Sequence, residues 1–196
     1  WFVSGIAMIY ARSMPALTRE LRLEHLPVLD PLQIRLTPAE ALAGTGVSSP
    51  PASATLLTIL NRPAYRFSGG FTVFADNGEP LEMNAERAAD AVRIFTNLRV
   101  DQLHPAGVIR APDQWTLLER RSLPMHRFTV DDAAKTEVYV SESSGEVALV
   151  TTRASRSLAR IAAIPHWMYF ESLRTRPQTW RKVVLWSSGL ATISAL

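Results

Sequence analysis

The side chains able to carry chemistry here are few, and the four histidines come first. His25 and His104 stand before Leu26-Pro27 and Pro105 in segments that read as loops, with no ligands clustered near them. His126 falls in a predicted strand and reads as a packed or half-exposed strand residue. His166 is different, because it sits beside Trp167, Tyr169 and Phe170 in a basic stretch just before an apolar run. Two readings follow. The first is an interfacial aromatic belt, in which Tyr10, Trp167, Tyr169, Phe170 and Trp180 place amphipathic rings at headgroup level and Pro165 separates one helix from the next. The second makes His166 an axial haem ligand, since neutral imidazole binds haem iron. One histidine cannot make a bis-imidazole site, so a partner ligand would have to come from elsewhere.

Other chemistries find no support. The 196 residues contain no cysteine, which excludes thiol catalysis, disulfides and Cys-ligated metal centres. Gly-x-Ser-x-Gly, His-Glu-x-x-His, phosphate-binding Gly-x-x-x-x-Gly-Lys and Gly-x-Gly-x-x-Gly signatures are absent. The pair Asp131-Asp132 reads as a solvated hairpin tip.

The elements that must position His166 begin with the two chain ends. The mean hydropathy of +0.03 is high for a soluble domain, and the excess is concentrated. Residues 1–11 carry no charge, until Arg12 and Pro15 end the run, and Val183 to Leu196 are uncharged after Arg181-Lys182. Each run is shorter than the ~20 residues that cross a bilayer. Both touch a terminus, and both carry aromatics on the inner side (Tyr10; Trp180 and Trp186), so they read as two truncated transmembrane helices. Beginning at Trp1 rather than Met, the chain reads as a fragment. Residues 153–182 hold seven basic side chains against Glu171, a net of +6 within a total of +3. With no nucleic-acid recognition module in view, lipid phosphates are the expected contact rather than nucleic acid. Charge does not set the orientation, because the positive-inside rule is weak for loops much longer than about 60 residues.

The middle of the chain predicts helices and antiparallel hairpins. Thr37-Pro38-Ala39-Glu40 is a capping box with proline at the first helical position, and the helix stops by Gly44. Ser48 to Ser53 form a linker. Strands are expected at Leu56–Leu60, Ala64–Phe67 and Phe71–Ala75, with a turn at Asp76-Asn77-Gly78 into Glu79-Pro80-Leu81. Asn84 caps a second helix with Ala88, Ala91, Val92, Phe95 and Leu98 on one face. The pattern then recurs. Pro63-Ala64-Tyr65-Arg66-Phe67 is echoed by Pro124-Met125-His126-Arg127-Phe128 at an offset of 61, which puts His126 at the position of Tyr65. Val73-Phe74 is echoed by Val138-Tyr139, and Asn77-Gly78-Glu79 by Ser144-Gly145-Glu146, where the glycine offset is 67. The expected fold class is α+β: two units, each a helix packed on a small antiparallel sheet.

These residues resemble the PepSY domain. Asp113-Gln114-Trp115-Thr116, Tyr139-Val140-Ser141, Gly145-Glu146-Val147, Thr151-Thr152-Arg153 and Ile164-Pro165-His166-Trp167-Met168-Tyr169-Phe170 are similar to segments of the PepSY-associated transmembrane proteins. The likeness covers nearly the whole chain, and the Ile-Pro-His-Trp stretch is its most specific element. It implies the end of a transmembrane helix over 1–14, a first PepSY-like unit with its lead-in over 15–83, and a second over 84–152. A basic, aromatic juxtamembrane segment over 153–180 and the start of a transmembrane helix over 181–196 would follow. It further implies a multi-pass protein of the cytoplasmic (inner) membrane with residues ~15–180 extracytoplasmic. Two roles come with it. One is non-enzymatic binding or regulation of an extracytoplasmic protein or peptide, with edge-strand pairing as the mechanism. The other is the external part of a multi-span reductase that carries haem b and acts on ferric siderophores in iron uptake.

Overall fold

The computed structural model describes residues 2–11, 14–47 and 51–194, so Trp1, Arg12, Ser48, Ser49, Pro50 and Leu196, named above, lie outside the described residues. Helix α1 (Phe2–Ala11) opens the chain and α2 (Arg19–Glu24) follows, capped by the Thr18 hydroxyl. Helix α3 (Pro38–Ala43) has the expected capping box: Glu40 N–H donates to Thr37 Oγ1, while Thr37 N–H donates to the Glu40 carboxylate at 2.7 Å. Strands β1 (Ala54–Ile59), β2 (Arg62–Phe67) and β3 (Phe71–Phe74) form a three-stranded antiparallel sheet in that order. Helix α4 (Ala85–Thr96) runs from its Asn84 cap to Asn97, which takes the left-handed conformation that ends many helices. Strands β4 (Leu103–Ile109), β5 (Met125–Val130), β6 (Glu137–Ser141) and β7 (Val147–Thr151) make a four-stranded antiparallel sheet, again in chain order. Helices α5 (Arg153–Ile161), α6 (Ala163–His166), α7 (Glu171–Arg174) and α8 (Pro177–Ile193) complete the chain. The fold is α+β, with two separate antiparallel sheets.

Each sheet buries one face under the helix that precedes it. Ala41 of α3 packs with Tyr65, Phe67, Val73 and Ala75, and Ala88, Ala91 and Val92 of α4 pack with Phe128, Val130, Val138 and Val140. The two sheets also share a hydrogen-bond pattern. Ala75 N–H donates to Pro63 C=O, and Glu142 N–H to Pro124 C=O. Phe74 N–H donates to Glu79 C=O and Gly78 N–H to Phe74 C=O. In the second sheet Ser141 N–H donates to Glu146 C=O and Gly145 N–H to Ser141 C=O. Tyr65 pairs with Val73, and His126 with Val140. The counterparts of Val73-Phe74 are therefore Val140-Ser141 rather than Val138-Tyr139, and the offset of 67 already holds at the strand. Pro80, which lacks an N–H, limits the fourth strand of the first sheet to a single bridge with Val73, where Val147 continues as β7.

Two features depart from expectation. Residues 103–109, expected as a loop around His104, form edge strand β4, where Pro105 and a register shift before Val108 are tolerated because one side is unpaired. The β1–β2 turn is Leu60-Asn61, both with positive φ, although leucine is a poor residue for such a turn. Leu60 adopts it because its side chain packs against the clusters of both units.

The sheets meet at the 144–146 corner. Gly145 has φ +71°, and a Cβ there would lie 2.9 Å from both Ile59 Cγ2 and Leu81 Cδ2, so only glycine fits. Helices α1, α5 and α6 gather elsewhere: Met14, Ala159, Ala163, Ile164 and Tyr169 form their own cluster, with Met8, Trp115 and Leu117 packed against it.

Candidate functional site

The geometry around His166 starts from local backbone chemistry. Thr152 caps α5 by accepting from Ser155 N–H at 3.1 Å. The break between α5 and α6 falls at Ala162 (φ −115°, ψ −82°). Pro165 then sits in the first turn of α6, where a missing N–H costs nothing. The helix ends in a Schellman motif: Tyr169 N–H donates to Ile164 C=O at 2.8 Å and Met168 N–H to Pro165 C=O at 3.3 Å. Ile164 and Tyr169 make the apolar contact that accompanies this motif. Met168 takes the left-handed position (φ 48°), usually given to glycine.

Both terminal helices converge on this turn. Ser4 Oγ of α1 lies 3.3 Å from His166 Nδ1, and a Cβ at Gly5 would stand 3.5 Å from His166 Cε1. From α8, Ser187 Oγ donates to Met168 Sδ at 3.5 Å. Away from the turn, each helix presents an apolar stripe that no protein covers among the described residues. On α1 the stripe is Val3 (80% exposed), Ile6 and Tyr10, with Ile9 beside it; on α8 it is Trp186 (75% exposed), Leu190 and Ile193, with Leu185 beside it. No helix among the described residues is long and apolar enough to cross a membrane.

The proposed interfacial residues separate in space. Tyr10, Trp167 and Phe170 are exposed, whereas Tyr169 is buried in the α1/α5/α6 cluster and packs there. Trp180 is half-buried, and the Arg174 guanidinium lies 4.4 Å from its ring centroid and 4.7 Å from that of Tyr169. Such cation–π stacking presents an arginine with its charge spread over aromatic faces. His166, Met168, Tyr169, Arg174, Trp180 and Val184 line an open recess of about 400 Å³. Met168 stood in the quoted Ile164–Phe170 stretch and Arg174 in the basic stretch, but Ser4 and Ser187 were not singled out as site residues; a contact spanning 162 residues, as between Ser4 and His166, leaves no local signal.

As a haem ligand, His166 meets one requirement. Ser4 engages Nδ1 and no protein group engages Nε2 among the described residues, which is how a neighbouring oxygen orients a ligating imidazole. The second requirement is not met by this segment. His25 caps α2, His104 lies on edge strand β4, and His126 is buried in β5 with Nε2 3.3 Å from Glu142 Oε1. The described residues thus offer one imidazole and no complete bis-imidazole site. Asp131 and Asp132 lie in the β5–β6 turn as expected, and Asp132 also builds it by accepting from Thr136 N–H at 2.9 Å and from Thr136 Oγ1 at 2.6 Å.

A second concave feature lies between the two units. Strand β1 is an edge strand whose outer side faces an apolar cavity of about 300 Å³, walled by Leu29, Leu56, Leu57, Ile94 and Phe95. His25 closes one end by stacking on Phe95, with ring centroids 4.6 Å apart.

No family model, curated protein or solved structure matches the chain. The reading of its function therefore rests on its own residues.

Proposed function

We propose that this chain is the membrane-anchored, extracytoplasmic part of a PepSY-type protein with a non-enzymatic binding or regulatory role. The single observation that carries the membrane half is the convergence of α1 and α8 on one turn, with apolar stripes left uncovered. Burying such stripes in hydrocarbon is worth about 25 cal/mol per Å², and nothing among the described residues covers them. Arg174 and Arg176 precede α8, and Arg181 and Lys182 lie in its N-terminal part, all suited to lipid phosphates. In this reading α1 and α8 enter the bilayer, and residues ~15–180 lie on the outer side of the cytoplasmic membrane. The shared hydrogen-bond pattern of the two sheets supports a pair of PepSY-like units over 15–83 and 84–152. The binding half is supported by the edge strands of the two small sheets, which offer backbone groups to an extracytoplasmic protein or peptide. Co-flotation of the chain with anionic phospholipid vesicles tests the reading; a chain left at the bottom of the gradient contradicts it.

A second reading keeps the same placement and adds a reductase role on ferric siderophores, with haem b held partly by His166. The unengaged Nε2 is the observation that favours it. Haem would supply one-electron transfer, and this chain's own part would be to hold the imidazole ring of His166 in place through Ser4. If the full-length protein in detergent shows no Soret band, this second reading fails; if the band survives His166→Ala, His166 is not its ligand.

A further inference from the structure

The cavity beside β1 combines three features that point to one kind of ligand. The first is an open hydrogen-bonding edge. Ser68 N–H donates to Ser53 C=O at 2.9 Å, which fixes the parity of the ladder. With an unbroken register, Thr55, Leu57 and Ile59 turn their backbone groups toward β2, while Ala54, Leu56 and Thr58 turn theirs outward. Residues 26–29 pass beside this edge, where Thr58 Oγ1 donates to Val28 C=O at 3.5 Å. The N–H and C=O of Ala54 and Leu56 have no protein partner among the described residues. Two of the other edges are blunted: β3 is capped by its own return at Pro80, and β4 carries Pro105 and a bulge.

The second feature is the cavity itself, about 300 Å³ and walled mainly by aliphatic and aromatic side chains. It lies at the lower end of the size range of ligand pockets. Exposed Leu26, Val28 and Leu56 extend its apolar rim. The third is charge. Two charged residues line it, Glu146 and Arg22. Glu146 is neutralised by Arg66 at 2.8 Å, whereas Arg22 has no ion pair among the described residues.

We propose that β1 is a docking edge for an extended peptide that adds a strand beside Ala54–Leu56, seats a bulky apolar side chain in the cavity, and sets an acidic group against Arg22. Backbone pairing supplies affinity without sequence preference, and the cavity and Arg22 supply the preference. This deepens the binding role proposed above and rests on it.

The test is selection of phage-displayed random heptapeptides on the 1–196 chain in detergent micelles, followed by binding of the enriched peptides by fluorescence anisotropy. Enriched sequences are expected to place bulky apolar residues at alternate positions, with an Asp, a Glu or a free C-terminus nearby. Arg22→Glu should weaken their binding about tenfold, and a peptide with Lys in place of the acid should recover it on that variant. Leu56→Pro removes an outward N–H that β2 does not use and should also weaken binding about tenfold. Should Leu56→Pro not fold by circular dichroism, the Arg22→Glu and Lys-peptide pair decides the matter alone. No enriched peptide, or enriched peptides indifferent to Arg22→Glu, overturns the proposal. Vesicle flotation is independent of β1, so a chain that floats but shows no such peptide binding loses this site and keeps its membrane placement.

Discussion

Arg66 of β2 reaches into the second sheet, its Nη1 2.8 Å from Glu146 Oε2 and its Nη2 donating to Ser144 C=O at 2.9 Å. The same corner holds Gly145, whose missing Cβ lets Ile59, Leu81 and Met83 close over it. One corner therefore ties the two units together through both charge and shape, and it stands beside the β1 cavity.

The two contributions should separate on mutation. Arg66→Ala removes a pair that is about one-third exposed on each side, so the expected loss is only ~1 kcal/mol. Gly145→Ala combines a left-handed backbone with overpacking and should cost about 2–4 kcal/mol. Urea unfolding of both variants checks the order; equal losses contradict it.

Met168 offers a gain. Its φ of 48° carries the Cβ penalty that glycine escapes at the end of a Schellman motif. Met168→Gly should raise stability by about 1 kcal/mol, read as a higher urea midpoint. A fall would mean that the contact between Met168 Sδ and Ser187 outweighs the backbone strain.

Acid should weaken the first unit. Hydrogen bonding from the Arg62 guanidinium holds the Asp76 carboxyl below its ordinary range, and hydrogen bonding from Arg87 does the same for Glu79. Both folded-state values lie below the unfolded ones. The stabilisation is therefore complete above about pH 5 and is lost as pH falls through about 4 and then through the depressed values. Asp76→Asn should flatten part of that decline between pH 5 and 2, measured as unfolding midpoints at each pH. An unchanged slope contradicts the assignment.

How much of this was legible in the sequence depended on the range of the forces involved. Thr37 with Glu40, Asn84 with the Ala88–Phe95 face, and the Asn77-Gly78 turn are local devices, and each stands where local chemistry put it, whereas Leu98, expected on that face, follows the Asn97 cap that ends the helix. The shared pattern of the two sheets was legible in part: the echo of Pro63–Phe67 in Pro124–Phe128 falls on paired strands, but Val73-Phe74 corresponds to Val140-Ser141, two residues beyond Val138-Tyr139. Edge strand β4 was hidden by Pro105, because a proline argues against a strand unless one side is known to be free. The Leu60-Asn61 turn was hidden for a similar reason: the burial of Leu60 between two clusters offsets a conformation that leucine avoids. At the candidate site, the grouping of His166 with Trp167 and Phe170 was visible as a run. The burial of Tyr169 and the contacts of Ser4 and Ser187 with that run depend on α1 and α8 folding back from the two ends of the chain.

Entry of the α1 and α8 stripes into lipid decides the membrane placement. The chain has no cysteine, so Ile6→Cys, Leu190→Cys and Asp90→Cys can each carry a single nitroxide without background. In anionic phospholipid vesicles, spin labels at Ile6 and Leu190 should relax with oxygen and be shielded from a water-soluble nickel chelate, while the label at Asp90 on α4 should show the reverse. Equal access of the chelate to all three positions would contradict the membrane placement.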